Sequence, residues 1–485
     1  MTDKSQRRFF ALLAMTLLGG CALLMPFQAR QVDALQSRKP KFIFIFLADG
    51  AGITHLEITR MYNQLVYNEG LNITDRIFTE GSLGLMTTHS ADHLITDSAA
   101  SATALANGCK AKNGWVGICA DGSIPKSVLE IAKRRGMKTG LVTSAAVYDA
   151  SPAAFSIHIH SRRLADEIVE AYLDYQPDLL MGGGRNRFLP KDRKEGRRKD
   201  YKDMITLFRN KGYAYVSTRQ ELMEVEGPKV LGLFSLADMG FEIDRDEGRE
   251  PSVFDMTRAA IRILQEGKGM GFVLFIENEN IDTSAHLSDV AALIHEVREF
   301  DRAVGLAYEF YKKHPQETLI LVASDHETGG LALTGAARQI KFIGPVGRVL
   351  PSRESLKRIH SIRISIRRAA RLLGRRPSSE DIDSLMAEHF KGFVLTAELR
   401  EVLLKKKRLG PTFYSKATAA ALGAMVAHNT QAYLIGRGHT NQPVFVGALG
   451  VGAERFRGYQ DNTDFARHLF ALLGEKRQQA EGSEQ

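Results

Sequence analysis

Seven side chains able to bind metal follow or precede apolar runs in this 485-residue sequence. Asp49 follows the run Lys41–Leu47. Glu277, then Asp282 and His286, follow Gly271–Ile276, and Asp325 and His326 follow Thr318–Ala323. His439 precedes Val444–Leu449. A single carboxylate at a strand end is most often a cap or a surface charge, and a single histidine there is most often structural. Four carboxylates and three histidines at equivalent places are harder to explain that way. Asp282 and His286 are four residues apart, so one helical turn puts both on one face. Imidazole with carboxylate suits zinc, and an all-oxygen set suits magnesium. Seven ligands exceed the four of one tetrahedral zinc and point to a cluster of two or three ions.

A second constellation is Thr96-Asp97-Ser98-Ala99-Ala100-Ser101-Ala102-Thr103-Ala104. Its small residues suit a tight turn leading into a helix that begins at Ser98. A serine there is ordinarily a cap. The same position favours anions and lowers the cost of an alkoxide. No Gly-x-Ser-x-Gly elbow surrounds Ser98, so a nucleophilic role requires activation by metal. The third constellation is Asp149-Ala150-Ser151-Pro152 with Arg162 further on. Pro152 fits a first helical turn, with Ser151 as its cap. Arg162 falls near the far end of that helix or just beyond. Its planar guanidinium is either a two-pronged clamp for phosphate oxygens or a surface charge.

These residues need a frame that gathers strand ends. Unbroken apolar runs such as Lys41–Leu47 suit strands buried on both faces. Further runs occur at Lys138–Thr143, Asp178–Met181, Lys229–Phe234, Gly271–Ile276, Thr318–Ala323 and Val444–Leu449, with helical stretches between them. The alternation predicts an α/β fold, a mostly parallel central sheet with helices on both faces. Ligands of such sheets sit at the carboxyl ends of the strands. The hydrophobic fraction of 44% is ample for a large core. From about 335 to 427 no buried strand is apparent. Ile359, Ile362, Ile366, Ala369, Ala370 and Leu373 recur there at helical spacing, which predicts a helical insertion. The net charge of +9 is local: between Arg338 and Arg376 twelve Lys/Arg face one acid, Glu354. A charge so confined does not argue for a specific nucleic-acid partner.

Residues 1–38 read as an export leader and tether. Lys4, Arg7 and Arg8 precede the apolar Phe9–Leu18, and Leu18-Gly19-Gly20-Cys21 has the form of a lipobox. Lipidated Cys21 would tether the chain to a membrane; the alternatives are an uncleaved anchor running to about Phe27 and an ordinary cleaved signal. Each version exports the chain, to the periplasm or cell envelope. Cys109 and Cys119 then remain as a disulfide pair or as two free thiols. The catalytic region is expected over 39–475, and 476–485 is a polar tail.

Taken together, these residues resemble the alkaline phosphatase family. Asp97-Ser98-Ala99-Ala100-Ser101-Ala102-Thr103 is similar to its nucleophile motif, and the resemblance runs from about Phe42 to Leu473. It implies an enzyme that hydrolyses phosphate monoesters through a phosphoserine on Ser98, with two zinc ions and one magnesium. One zinc would be held by Asp282, His286 and His439. The other would be held by Asp49, Asp325 and His326 and would touch Ser98. Magnesium would share Asp49 and add Ser151 and Glu277. Arg162 would grip phosphate, and Asp149 would stand behind the magnesium site. The family is often dimeric, which makes a homodimer an expectation. Ser151 stands where some members carry Thr, and Asn278-Glu279-Asn280 replaces smaller residues. Glu279 either perturbs the site or faces solvent. Two other readings remain. A sulfatase needs Pro and Arg two and four residues after its nucleophile, where this chain has Ala100 and Ala102, and many related phosphodiesterases use Thr in place of Ser98. A cell-surface binding protein would instead use the basic insertion, with its metals purely structural.

Overall fold

The structure, a computed structural model, describes residues 39–266, 269–337, 348–406 and 417–475. The leader with Cys21 and the tail 476–485 lie outside the described residues.

The predicted sheet is present and has ten strands. In chain order they are β1 (Phe42–Leu47), β2 (Ser82–Met86), β3 (Lys138–Ala146), β4 (Leu179–Gly183), β5 (Ala214–Val216), β6 (Val230–Leu233), β7 (Phe272–Glu277), β8 (Thr318–Ala323), β9 (Val444–Gly450) and β10 (Gly458–Gln460). Their order across the sheet is β10-β2-β9-β8-β1-β7-β3-β4-β6-β5. All neighbours pair in parallel except at β9, which runs antiparallel to both β2 and β8.

Alternation along each strand divides the core in two. Phe44, Phe46, Leu274, Ile276, Ile320 and Val322 point to one face. Ile43, Ile45, Leu47, Val273, Phe275, Leu319 and Leu321 point to the other. Both faces are covered, so the parallel strands read as continuous apolar runs. Register sets the functional edge. Leu47 stands level with Glu277 on one side and with Ala323 on the other, and Thr143 is also level with Glu277. Asp49 and Asp325 therefore leave the sheet at the same height.

In the predicted insertion lies a short antiparallel pair, Ala336–Ala337 with Arg348–Val349. Helices follow at Arg353–Lys357, Ile366–Leu373, Ser379–His389, Ala397–Lys405 and Ala417–Thr430. The stripe from Ile359 to Leu373 is not one helix. Arg358–Ser361 forms a 3-10 turn, and the following helix starts afresh at Ile366. Ser365 imposes the restart. Its hydroxyl accepts from Arg368 N at 2.9 Å while its own N–H donates to Asp244 Oδ1 at 3.0 Å. The apolar residues still turn inward, and Ile359, Ile362, Ile366, Ala369 and Leu373 are buried. Among the described residues no helix is long and apolar enough to cross a membrane.

Candidate active site

The carboxyl edge of the sheet brings the predicted residues to one place. Beyond β1 the chain turns at Gly50, where φ is +74°. A Cβ at Gly50 would come within 2.6 Å of Asp282 Oδ1, so only glycine lets Asp49 approach the segment after β7. Asp282 and His286 share one face of the helix Asn280–His286, with Nε2 of His286 3.0 Å from Asp282 Oδ2. Beyond β8, Asp325 and His326 both turn inward, and His326 Nε2 lies 3.2 Å from Asp325 Oδ2 and 3.5 Å from Asp49 Oδ1. His439 is delivered by a two-residue ladder in which it pairs with Thr328. Its ring stacks on His326 with centroids 3.6 Å apart.

Two groups of ligand atoms come within 4.8 Å of one another: Asp282, His286 and His439, and Asp49, Asp282 and His326. The polar atoms there are unusually short of partners. Asp49 Oδ1, Glu277 Oε1 and Asp325 Oδ2 are buried with no hydrogen bond, a costly state unless a cation satisfies them. The His286 and His439 Nε2 atoms face each other at 3.3 Å. His439 Nδ1 is 2.8 Å from Thr96 O, and His286 Nδ1 bonds Arg437 O. Each Nδ1 must carry its proton to donate to a carbonyl, so each Nε2 presents a lone pair to the same space. This donor set fits metal ions.

Electrostatics agree. Burial, with the charges of Asp325, Asp282 and Glu277 added, pushes the Asp49 carboxyl well above the ordinary range. Burial and Asp149 push Glu277 up to about 8. Burial and Asp282 push Asp325 up to about 7. Burial alone would also raise Asp282, but the imidazoles of His286, His326 and His439 around it hold it below the usual range. Burial drives His326 well below its ordinary value, in its neutral, metal-binding form.

Ser98 opens the helix Ser98–Asn107. Asp97 caps it, its Oδ1 accepting from Ala100 N at 3.0 Å. The buried Ser98 Oγ stands 3.2 Å from His326 Nε2, beside the ligand cluster. Arg162 lies in a loop well past the short helix Ala150–Ala154. It is held by two carboxylates, Nη1 at 3.3 Å from Asp97 Oδ2 and Nη2 at 2.9 Å from Asp149 Oδ1. Ser151 is not the cap that the sequence suggested. Asp149 caps that helix, accepting from Ala150 N at 2.8 Å. The Ser151 hydroxyl is thereby free to donate to Asp49 Oδ2 at 3.4 Å.

Some contributors escaped the sequence reading. Thr143 Oγ1 donates to Glu277 Oε2 at 2.5 Å. Thr328 Oγ1 bonds Asp282 Oδ1 and lies 3.3 Å from His326 Nδ1. Asp97 was visible only as part of a motif. The periodicity of two, placing Thr328 on the face of His326, was the available signal for Thr328. Glu279 turns inward: one oxygen takes the Thr283 hydroxyl and the other is buried without a partner. Burial, with the charges of Asp238, Asp149 and Asp282, holds its carboxyl well above the ordinary range.

The alkaline phosphatase family model matches residues 40–474. The chain belongs to the alkaline phosphatase family. Alkaline phosphatase 4 of Bacillus subtilis is 31% identical over 456 residues, which cover 92% of this chain and 90% of that protein. The crystal structure of Thermus thermophilus alkaline phosphatase superposes with a TM-score of 0.81 at 28% identity, covering 91% of this chain and 93% of that one. The cold-active alkaline phosphatase of Shewanella sp. gives a TM-score of 0.74 at 27% identity, covering 90% and 100%. An alkaline phosphatase is a metal-dependent enzyme that hydrolyses phosphate monoesters, and this chain is a phosphatase of that family.

Proposed function

We propose that the chain hydrolyses phosphate monoesters through a covalent phosphoserine on Ser98, at a site for two zinc ions and one magnesium. The observation that carries this reading is the convergence of orphaned carboxylate oxygens and imidazole lone pairs next to Ser98 Oγ. The family resemblance assigns Asp282, His286 and His439 to one zinc and Asp49, Asp325 and His326 to the second, both mixed imidazole–carboxylate sets that suit zinc; Asp282 also lies within reach of Asp49 and His326. Asp49, Ser151 and Glu277 offer oxygen alone and suit magnesium. When bound, these ions supply Lewis acidity that stabilises the Ser98 alkoxide, the departing alcohol oxygen and the attacking water.

The chain's own groups do the rest. Arg162, aimed by Asp97 and Asp149, grips two phosphoryl oxygens as a fork. The N-terminus of the helix Ser98–Asn107 adds aligned N–H dipoles toward the anion. Ser98 Oγ attacks phosphorus in line with the leaving alcohol, and the P–O bond to the alcohol breaks as the Ser98–phosphorus bond forms. Water then attacks from the side the alcohol left, releasing inorganic phosphate and restoring Ser98. Asp149 holds Arg162 while its charge reaches Glu277.

The leader is read as a lipoprotein signal that places the mature enzyme in the cell envelope, and the enzyme is read as a homodimer. Mass spectrometry of the mature N-terminus and sedimentation test these two points. The central test is hydrolysis of an aryl phosphate from pH 6 to 11 on metal-stripped protein, with zinc and magnesium restored separately and together. Alkaline activity that returns only with metals, and phosphate trapped on Ser98 in acid, are the expected results. A folded, metal-loaded protein without activity overturns the reading.

A further inference from the structure

Trp115 is the only tryptophan of the chain, and it belongs to neither core cluster. It lies on the loop closed by the Cys109–Cys119 disulfide. That loop is fastened to the phosphate clamp at several points. Gly114 N donates to Asp97 Oδ2 at 3.0 Å, and Asp97 N donates to Asn113 Oδ1 at 3.0 Å. Arg162 N donates to Gly114 O at 2.9 Å. A bridge between Val116 and Ile159 continues the connection one residue past Trp115. The backbone that carries Trp115 is therefore tied to that of Arg162.

Beside it opens a cavity of about 420 Å³, lined by Asp97 and Arg162 together with Trp115, His160 and Arg163. The rings of Trp115 and His160 meet edge to face, with centroids 5.7 Å apart at 84°. Lys112 Nζ lies 4.8 Å from the indole centroid. Arg163 is exposed and has no carboxylate within ion-pair distance among the described residues. The cavity thus joins the phosphate clamp to an aromatic wall with a cationic rim. A half-buried aromatic outside the core, on a loop tied to the clamp and with Lys112 over one face, is a surface on which a flat group can pack.

We propose that this cavity receives the organic group of the substrate, and that Trp115 packs against a planar aromatic ring, a nucleobase or an aryl group, while Arg162 holds its phosphate. The proposal rests on the phosphomonoesterase reading above and names the substrate class of that site. Trp115 is a specificity-determining residue on this account. Sugar or alkyl phosphates without a ring gain nothing from it.

The lone indole makes the test direct. Metal-loaded protein is titrated with adenosine 5′-monophosphate, phenyl phosphate, glycerol 2-phosphate and inorganic phosphate, following tryptophan fluorescence with inner-filter correction on a Ser98→Ala background. In parallel, kcat/KM for the three esters and inhibition by inorganic phosphate are measured for Ser98-containing wild type, Trp115→Ala and Trp115→Phe. Quenching by a ring-bearing ester alone is expected. Trp115→Ala should lower kcat/KM about tenfold for that ester and less than about twofold for glycerol 2-phosphate. Trp115→Phe should restore most of the loss, and phosphate inhibition should not change. An effect on only one of the two aromatic esters supports the proposal and identifies the ring. Equal losses for all three esters, a weakened phosphate inhibition, or no loss overturns it. If wild type turns over none of them, the phosphomonoesterase reading itself has failed and the subsite falls with it.

Discussion

His286 Nε2 and His439 Nε2 stand 3.3 Å apart, each ring with its other nitrogen committed to a backbone carbonyl. The carbonyls fix the protons on Nδ1, so two lone pairs point at one another across a space that Asp282 also faces. Without a cation such an arrangement is repulsive; with one it is a ready-made ligand set.

Removing metal should therefore cost stability as well as activity. Chelation should abolish hydrolysis and lower Tm, and zinc should restore both. At free zinc about a hundredfold above Kd, each site contributes about 2.7 kcal/mol. His439→Ala, which removes a ligand from one of the two zinc sites, should remove about half of the zinc-dependent stabilisation while leaving the fold intact, as read by thermal melts with and without zinc.

The metal-free protein should lose stability as pH rises. Glu277 is raised to about 8 and Asp325 to about 7, both above the ordinary values of 4.5 and 3.8. Between those limits the folded state binds more protons than the unfolded state, so stability falls with pH. It is fully present below the ordinary carboxylate range and lost as pH passes through 7 to 8. Melts of stripped protein from pH 5 to 9 should show this decline, and saturating zinc and magnesium should flatten or reverse it.

Ser98→Ala should reduce turnover by at least about 1000-fold. Metal content, measured by elemental analysis, should stay the same, since the ligand cluster does not depend on the hydroxyl. Acid quenching of wild type with labelled substrate should leave phosphate on Ser98 and none on the variant.

Arg162 is useful only where Asp97 and Asp149 hold it. Arg162→Ala should lower kcat/KM about 100-fold and weaken inhibition by inorganic phosphate. Arg162→Lys should recover little, because an ammonium cannot reproduce the fork. Asp97→Asn should raise KM more modestly, since it loosens one anchor of the fork while an amide oxygen can still cap the helix.

Cys109 and Cys119 close a loop of ten residues. Replacing both with Ser should lower stability by about 2–3 kcal/mol through the freer unfolded chain. Thermal melts of the double variant, and of wild type with and without reductant, check this.

The central strands were legible because burial on both faces leaves no polar interruption. β2, β5 and β10 were not read. Ser82–Met86 is half exposed and broken by Gly84, while Ala214–Val216 and Gly458–Gln460 are edge segments of only three residues, too short to show a pattern. Nothing in Val444–Gly450 announces that it runs against its neighbours, because strand direction is set by the connection and not by the residues. Charged residues just past apolar runs revealed the ligand cluster. The supporting hydroxyls of Thr143 and Thr328 lie within or beside strands, where a threonine is an ordinary β-former. The choice between Ser151 and Asp149 as cap depended on whether Ser151 was needed elsewhere, and Asp49 settles that.

The two-residue ladder that delivers His439 has a consequence for how this enzyme can vary. Gly329 N donates to Gly438 O at 3.0 Å and Gly436 N to Gly329 O at 3.0 Å, so the chain leaves and re-enters the site through one narrow stem. Gly329 and Gly330 both take positive φ, +90° and +62°, to make the departure. Glu327 secures it, accepting from Gly330 N, Leu331 N and Thr440 Oγ1. The described segments between Gly330 and Gly436 thus form an excursion with pinned ends. The stem keeps His439 in register with Thr328, while Ser365 to Asp244 and Ile366 N to Asp289 tie the helices of the excursion back to the main core, so a change of its length must respect both attachments.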